Sequence, residues 1–188
     1  MLATPDTIPL LFNGRDLDLW HGSDESWAVD SGEIVGRAPQ PLDQPSFLSG
    51  DMILGDFVFT AEVKVTPASR AAAVWFRAEP GQTPAGYRVR LGGDAWGSLE
   101  DHGGRGPLAP AVAPNVRAND WNTLEIQARG SSLRISLNGQ PCVTLEDSAG
   151  ARQGILAFEL SAGPPMELRV RNPRIELAPG KATALAPR

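Results

Sequence analysis

Hydrophobic and polar residues alternate along much of this chain with a period of two. From Phe57 to Val65, Phe57, Phe59, Ala61, Val63 and Val65 share one side, and Thr60, Glu62 and Lys64 the other. The next run sets Val74, Phe76 and Ala78 against Trp75, Arg77 and Glu79, and a third sets Tyr87, Val89 and Leu91 against Arg88 and Arg90. Side chains along a strand point to opposite faces in turn, so each run predicts a strand with one buried face. If the three pair in chain order, Glu62, Lys64, Trp75, Arg77, Arg88 and Arg90 share one exposed surface. That surface reads either as a site for a polar ligand or as a merely solvated face.

The remaining periodic segments also predict strands. Trp27–Val29 and Glu33–Val35 flank a tight-turn signal at Asp30-Ser31-Gly32, and Asn138-Gly139 starts a second hairpin after Leu133–Leu137. Ser46–Ile53, Trp96–Asp101, Asn122–Arg129, Cys142–Leu145, Gly154–Leu160, Met166–Val170 and Arg174–Leu177 complete the set. In Gly154–Leu160, Leu156, Phe158 and Leu160 face one way, and Ala157 and Glu159 the other. No amphipathic helix of useful length is present; single helical turns are expected near Asp16–Leu19 or Asp147–Ala151. About a dozen short strands separated by turns predict an all-β sandwich. The expected organisation is an N-terminal tail over 1–7, one sandwich domain over 8–177 and a flexible C-terminal tail over 178–188. The long irregular stretches Arg37–Pro45 and Gly103–Asn119 are candidate functional loops.

Composition narrows the function. A length of 188 residues fits one domain, and a net charge of −5 argues against a nucleic-acid partner. Only Lys64 and Lys181 are lysines; the other basic residues are arginines, which offer planar bidentate hydrogen bonding. Cys142, the sole cysteine, excludes an internal disulfide and reads as a small buried hydrophobe. No apolar run approaches a membrane span. The start MLATPDTIPLLFNG lacks signal-peptide character, and the compartment stays open: periplasmic or secreted if a signal has been removed, otherwise cytoplasmic. Two histidines and one cysteine give no transition-metal cluster, so no cofactor is expected; Asp94, or Asp51 with Asp56, leaves room for a structural calcium.

Several phrases, in order, resemble one family. They are Leu11-Phe12-Asn13-Gly14-Arg15-Asp16-Leu17 with Trp20, then Trp27-Ala28-Val29-Asp30-Ser31-Gly32-Glu33-Ile34-Val35-Gly36, then Gly55-Asp56-Phe57 leading to Glu62. Phe76-Arg77 with Gly86-Tyr87, Trp121-Asn122-Thr123 and Leu137-Asn138-Gly139 follow. Gly163-Pro164-Pro165-Met166 and Arg171-Asn172-Pro173-Arg174-Ile175 end the series. Together they resemble the 3-keto-disaccharide hydrolase domain family over about residues 10–177. The resemblance implies a concanavalin-like, laminin-G-like jelly roll of two antiparallel sheets with a concave ligand face. It also implies cleavage of glycosides oxidised to a ketone at the third sugar carbon. The chain departs from the family pattern at five positions. Arg88 and Arg90 stand where an acidic residue and a glutamine are usual, Glu159 and Ser161 where a glutamine and a histidine are usual, and Glu100 where tyrosine is usual.

A ketone at the third carbon acidifies the proton on the second, and the resulting enolate expels the group on the first. Water then adds, so the net result is hydrolysis. The route needs a base and a cationic or hydrogen-bonding group at the enolate oxygen. The candidate catalytic residues are Glu62 or Glu159 as base, Arg77 (or Arg88 or Arg90) at the oxygen, and His102 for acid–base work. The candidate substrate-binding residues are Lys64, Trp75, Arg88, Arg90, Trp96, Glu100 and Asp101, with either indole able to stack on a sugar. Trp20, Trp27 and Trp121 read as core anchors at strand ends, and His21 as a surface residue. The sequence therefore predicts a 3-keto-glycoside hydrolase or lyase with a small carbohydrate ligand; the alternative is a non-catalytic, lectin-like carbohydrate-binding domain. It does not specify an oligomeric state.

Overall fold

The computed structural model describes residues 11–23, 25–177 and 184–185. The expected tails, 1–7 and 178–188, lie outside these residues apart from Ala184–Leu185, which pairs with Met52–Ile53.

The strands are β1 (Trp20–Gly22), β2 (Trp27–Asp30), β3 (Glu33–Ala38), β4 (Ser46–Gly50), β5 (Met52–Ile53), β6 (Phe57–Thr66), β7 (Ala72–Glu79) and β8 (Ala85–Leu91). They continue as β9 (Leu99–Asp101), β10 (Gly106–Ala109), β11 (Asn122–Arg129), β12 (Ser132–Leu137), β13 (Gln140–Glu146), β14 (Ile155–Leu160), β15 (Met166–Leu177) and β16 (Ala184–Leu185). Two seven-stranded antiparallel sheets form a jelly-roll sandwich. Sheet 1 has the order β1-β4-β14-β7-β8-β9-β10, and sheet 2 the order β13-β12-β11-β6-β15-β3-β2. No helix among the described residues is long and apolar enough to cross a membrane.

The alternation read from the sequence survives strand by strand. Phe57, Phe59, Ala61, Val63 and Val65 line the core from sheet 2; Val74, Phe76, Tyr87, Val89, Leu156, Phe158 and Leu160 meet them from sheet 1. Fully burying one such Leu, Val or Phe contributes about 1.5–3 kcal/mol. Both predicted hairpins form, with Ser31 and Gly32, and Asn138 and Gly139, all at positive φ, as a two-residue turn between twisted strands requires. Cys142 is buried, and burial pushes its thiol pKa up.

Three expectations change. The segments near Asp16–Leu19 and Asp147–Ala151 form non-helical turns; among the described residues a 3-10 turn forms instead at Gly93–Ala95. The chain keeps turning at Trp96 and Gly97, which shortens the predicted Trp96–Asp101 strand to Leu99–Asp101. Most consequentially, β6 does not pair with β7. It lies between β11 and β15 in sheet 2, while β7 lies between β14 and β8 in sheet 1. The link after Thr66 crosses from one sheet to the other, as jelly-roll connections do, so the polar face of β6 points away from that of β7 and β8.

A bulge in β7 makes the second large change. The pairing of β7 with β8 slips between Phe76 and Glu79, and Arg77 sits at φ 47. The slip reverses the alternation: Ala78 joins Ala73 and Trp75 in an outer apolar cluster instead of following Phe76 into the main core. Gly86 and Gly154 frame the bulge. A Cβ at either would stand 2.6 Å from Ala78 Cα or 2.3 Å from Arg77 C, so only glycine fits.

Candidate functional site

The outward side of sheet 1 carries the charged residues. Strand register sets Ala157, Trp75, Arg88 and Glu100 in one row across β14, β7, β8 and β9, and Glu159, Ala73 and Arg90 in the next. Ala73 is the small residue between two long ones, and it is fully buried. Arg88 reaches from β8 across β7 and grips Glu159 on β14. Its Nε donates to Oε2 at 2.8 Å and its Nη2 to Oε1 at 2.7 Å. Nη2 also donates to Ser161 Oγ at 3.2 Å, and Nη1 to Glu100 Oε2 at 2.8 Å. The guanidinium carbon lies 5.7 Å from the Trp75 ring centre.

Glu159 is held on every side. Besides Arg88 it accepts from Trp75 Nε1 at 2.7 Å and from Ser161 Oγ at 2.6 Å, and it is only 3% exposed. Four donors occupy the lone-pair directions of one carboxylate, leaving none for a substrate proton. Glu100 is shared differently. It accepts from Arg88, from Arg90 Nη1 at 3.4 Å, and pairs with His102 Nε2 at 3.2 Å. Burial alone would raise its pKa; hydrogen bonds from Arg88 and His102 and the charges of both arginines outweigh this and hold it below the usual glutamate value. Burial likewise opposes the charge on Arg88, but Glu159 and Glu100 more than offset it and raise its pKa. Two arginines and two glutamates thus balance within one cluster. His102, just past β9, is 46% exposed and lies 5.0 Å from the Trp75 ring centre.

Other sequence-derived candidates lie elsewhere. Glu62 and Lys64 are on the outer face of sheet 2, because β6 belongs there. Glu62 accepts from Arg171 at 3.0 and 2.9 Å and from Asn172 at 2.8 Å, contacts that lower its pKa against the opposing effect of burial. Lys64 Nζ lies 5.0 Å from the Trp121 ring centre and Arg171 Cζ 4.0 Å from it, so Trp121 is a half-buried partner of two cations rather than a core anchor. Trp20 and Trp27 are buried as expected.

Arg77 is fully buried at the bulge, donating to the carbonyls of Gly55, Gly130 and Ala151 and to Asp56. It ties four segments together and does not reach the charged face. Trp96 is packed into the main core. Asp101 is on the opposite side of β9 from Glu100 and His102, where Arg105 binds it and links it to Asp147 and Tyr87. Trp75 does point outward, yet it is 2% exposed beneath Phe47, Arg88 and His102, so its ring is a floor and not an open stacking platform. A cavity of about 500 Å³ lies away from this face, lined by Phe12, Asn13, Asn172, Pro173 and Arg174 among others. Among the described residues no group of three or more His, Cys, Asp or Glu is placed to hold a metal ion.

Ser161 was legible only as a departure from the family phrase, and Phe47 gave no signal at all. Two-residue spacing after Glu159 is what puts Ser161 on the same side of the sheet. The five departures noted in the sequence, at 88, 90, 100, 159 and 161, all fall in this one hydrogen-bonded cluster.

The sequence profile of the 3-keto-alpha-glucoside-1,2-lyase-like domains matches residues 8–176. The chain belongs to that family. No curated protein matches it in sequence. Among solved structures, this lyase-like domain is similar to a candidate glycosyl hydrolase from Parabacteroides distasonis, with 16% identity, a TM-score of 0.70 and coverage of 90% of this chain and 93% of that one. The carbohydrate-binding module CBM66 from Bacillus subtilis aligns at 17% identity and a TM-score of 0.67, covering 89% and 99%. The exoplasmic domain of VIP36, solved with Ca2+ and Man3GlcNAc, aligns at 13% identity and a TM-score of 0.59, covering 90% of each chain. At these identities the likeness is one of fold.

Proposed function

We propose that this domain binds carbohydrate on the outer face of sheet 1, around Arg88, Arg90, Glu100 and His102. The observation that carries the reading is the convergence of every family departure into one charged cluster on that face. A sandwich needs no buried ion network for stability, since apolar residues of similar volume serve as well or better. Planar guanidinium and carboxylate groups at the rim suit vicinal sugar hydroxyls, each of which donates and accepts. The folds of a carbohydrate-binding module and of a glycan-bound lumenal domain support the same reading. Calorimetric titration with methyl glucoside, trehalose and 3-keto-trehalose tests it. Saturable heat with at least one sugar supports it, and no binding to any at millimolar concentration contradicts it.

A second reading, elimination from a 3-keto-glycoside, is favoured by one observation: the exposed His102 ring hydrogen-bonds to Glu100 beside Arg90. In this reading His102 removes the proton on the second sugar carbon while Glu100 fixes the ring. Arg90 holds the enolate oxygen, the leaving group departs from the first carbon, and water adds. Glu159, saturated by four donors, is not the base. Turnover of 3-keto-trehalose by the wild type, lost in H102Q and kept in E159Q, is the expected pattern. Equal rates in wild type and H102Q end this reading.

A further inference from the structure

The two arginines of the cluster are used very differently. Arg88 donates through Nε and both terminal nitrogens to two carboxylates and a hydroxyl. Arg90, one residue pair along the same strand, makes a single side-chain hydrogen bond among the described residues, Nη1 to Glu100 at 3.4 Å. Its Nε is buried without a partner, and its side chain is 35% exposed, so the terminal nitrogens face outward. Buried polar atoms in folded proteins are almost always satisfied, so an orphaned guanidinium nitrogen calls for an explanation. Glu100 does not supply it, because its short bond is to Arg88 and its other neighbour is His102. Neighbouring Glu159 is fully committed as well. Ala73, fully buried, stands between Arg90 and Glu159 in the same row.

We propose that Arg90 selects an anionic sugar, one carrying a carboxylate or another planar or tetrahedral oxyanion, on the face that the preceding reading assigns to carbohydrate. The proposal rests on that reading and adds the ligand's charge to it. An under-bonded arginine fork matches a carboxylate or phosphate-like group by paired, charge-assisted hydrogen bonds. A small turn of the side chain engages Nε along with a terminal nitrogen and satisfies the orphan donor. Arg88 is held at short range by both glutamates, whereas Arg90 has one long contact to a carboxylate.

Titrating the full chain with methyl glucuronoside, methyl glucoside and glucose 6-sulfate at low salt tests this. A charge-assisted hydrogen bond predicts at least about tenfold tighter binding of the glucuronoside than of the glucoside. That preference shrinks as salt rises. In R90Q the ratio of glucuronoside to glucoside affinity falls to about one; R90K retains part of the preference as a point charge, which shows that the loss is one of charge rather than of folding. Comparison of the glucuronoside with the sulfate tells a carboxylate from a tetrahedral oxyanion. Equal affinity of the wild type for charged and neutral sugars overturns the proposal and leaves sugar binding standing. Failure of all three to bind overturns both. A preference that persists in R90Q also overturns the role of Arg90.

Discussion

Arg88 and Glu159 form a two-pronged ion pair across an intervening strand, with Nε to Oε2 at 2.8 Å and Nη2 to Oε1 at 2.7 Å. The pair stands where the resembled family pattern has an acidic residue and a glutamine. Breaking a buried pair by removing one partner strands the other charge, which costs about 3–5 kcal/mol. R88Q is expected to lower unfolding free energy by about that amount, because Glu159 loses both of its charge-assisted hydrogen bonds from one side chain. R88E is worse, placing a carboxylate beside Glu100 and Glu159, and E159Q added to R88E recovers part of the loss. Urea denaturation of the wild type, R88E, E159Q and the double variant gives the coupling, expected at about 1–3 kcal/mol; additive effects contradict the pairing.

Arg77 gives a different outcome. The Arg77 side chain is fully buried and bonded to Gly55, Gly130, Ala151 and Asp56, so R77M removes its hydrogen bonds to three carbonyls and a carboxylate. The expected loss is about 3–5 kcal/mol. R77K recovers little, since an ammonium lacks the planar fork that spans these acceptors. Chemical denaturation reads the stability. Sugar affinity of the folded fraction is expected to stay at the wild-type value, because Arg77 does not reach the charged face.

Strand existence and inward faces were legible because period-two alternation is local. What the alternation cannot carry is which strand lies beside which. Glu62 and Lys64 were assigned to the wrong face because β6 to β7 crosses between sheets, a topological fact with no local signature in Phe57–Val65. Arg77 was misread because a bulge shifts the parity of β7 by one residue. Asp101 falls on the inner side because it alternates with Glu100 and shares the parity of buried Leu99, and the same parity leaves Glu100 and His102 outside. The residues that did converge, Arg88, Arg90, Glu100 and Glu159, lie on strands whose register contains no slip between them.

Glu62 provides the control for that reassignment. Its contacts with Arg171 and Asn172 are on the partly exposed outer face of sheet 2, where such pairs contribute about 0–1 kcal/mol. E62Q is expected to change unfolding free energy by no more than this and sugar affinity not at all. A loss of sugar binding in E62Q, measured by the same titration, would place the ligand on the wrong sheet for this account.

Acid and alkali act on separate groups. Glu62, Glu100, Glu167 and Asp147 all have folded pKa values below their ordinary ones. For Asp147 the main cause is the Arg105 hydrogen bond. Depressed carboxylates contribute stability present above the unfolded pKa, near 4, that is lost as pH falls through the lower folded values. The melting temperature is therefore expected to be flat from about pH 7 to 5 and to fall below about pH 4. Tyr87 behaves oppositely: burial, then its hydrogen bond to Asp147, pushes it up to about 12. Its contribution is complete below the unfolded value near 10 and is lost as pH rises through about 12. Y87F removes the Tyr87 part of the alkaline fall and leaves the acid fall in place.

The most direct test of the account is where a sugar touches the protein. Backbone and Trp Nε1 resonances followed by two-dimensional NMR during titration with a glucoside and a glucuronoside report this residue by residue. The account predicts shifts at the Trp75 indole, Arg90, Glu100 and His102, with Glu62, Lys64 and the Trp121 indole unmoved. Shifts confined to the sheet 2 residues, or to the cavity lined by Phe12 and Arg174, would contradict it.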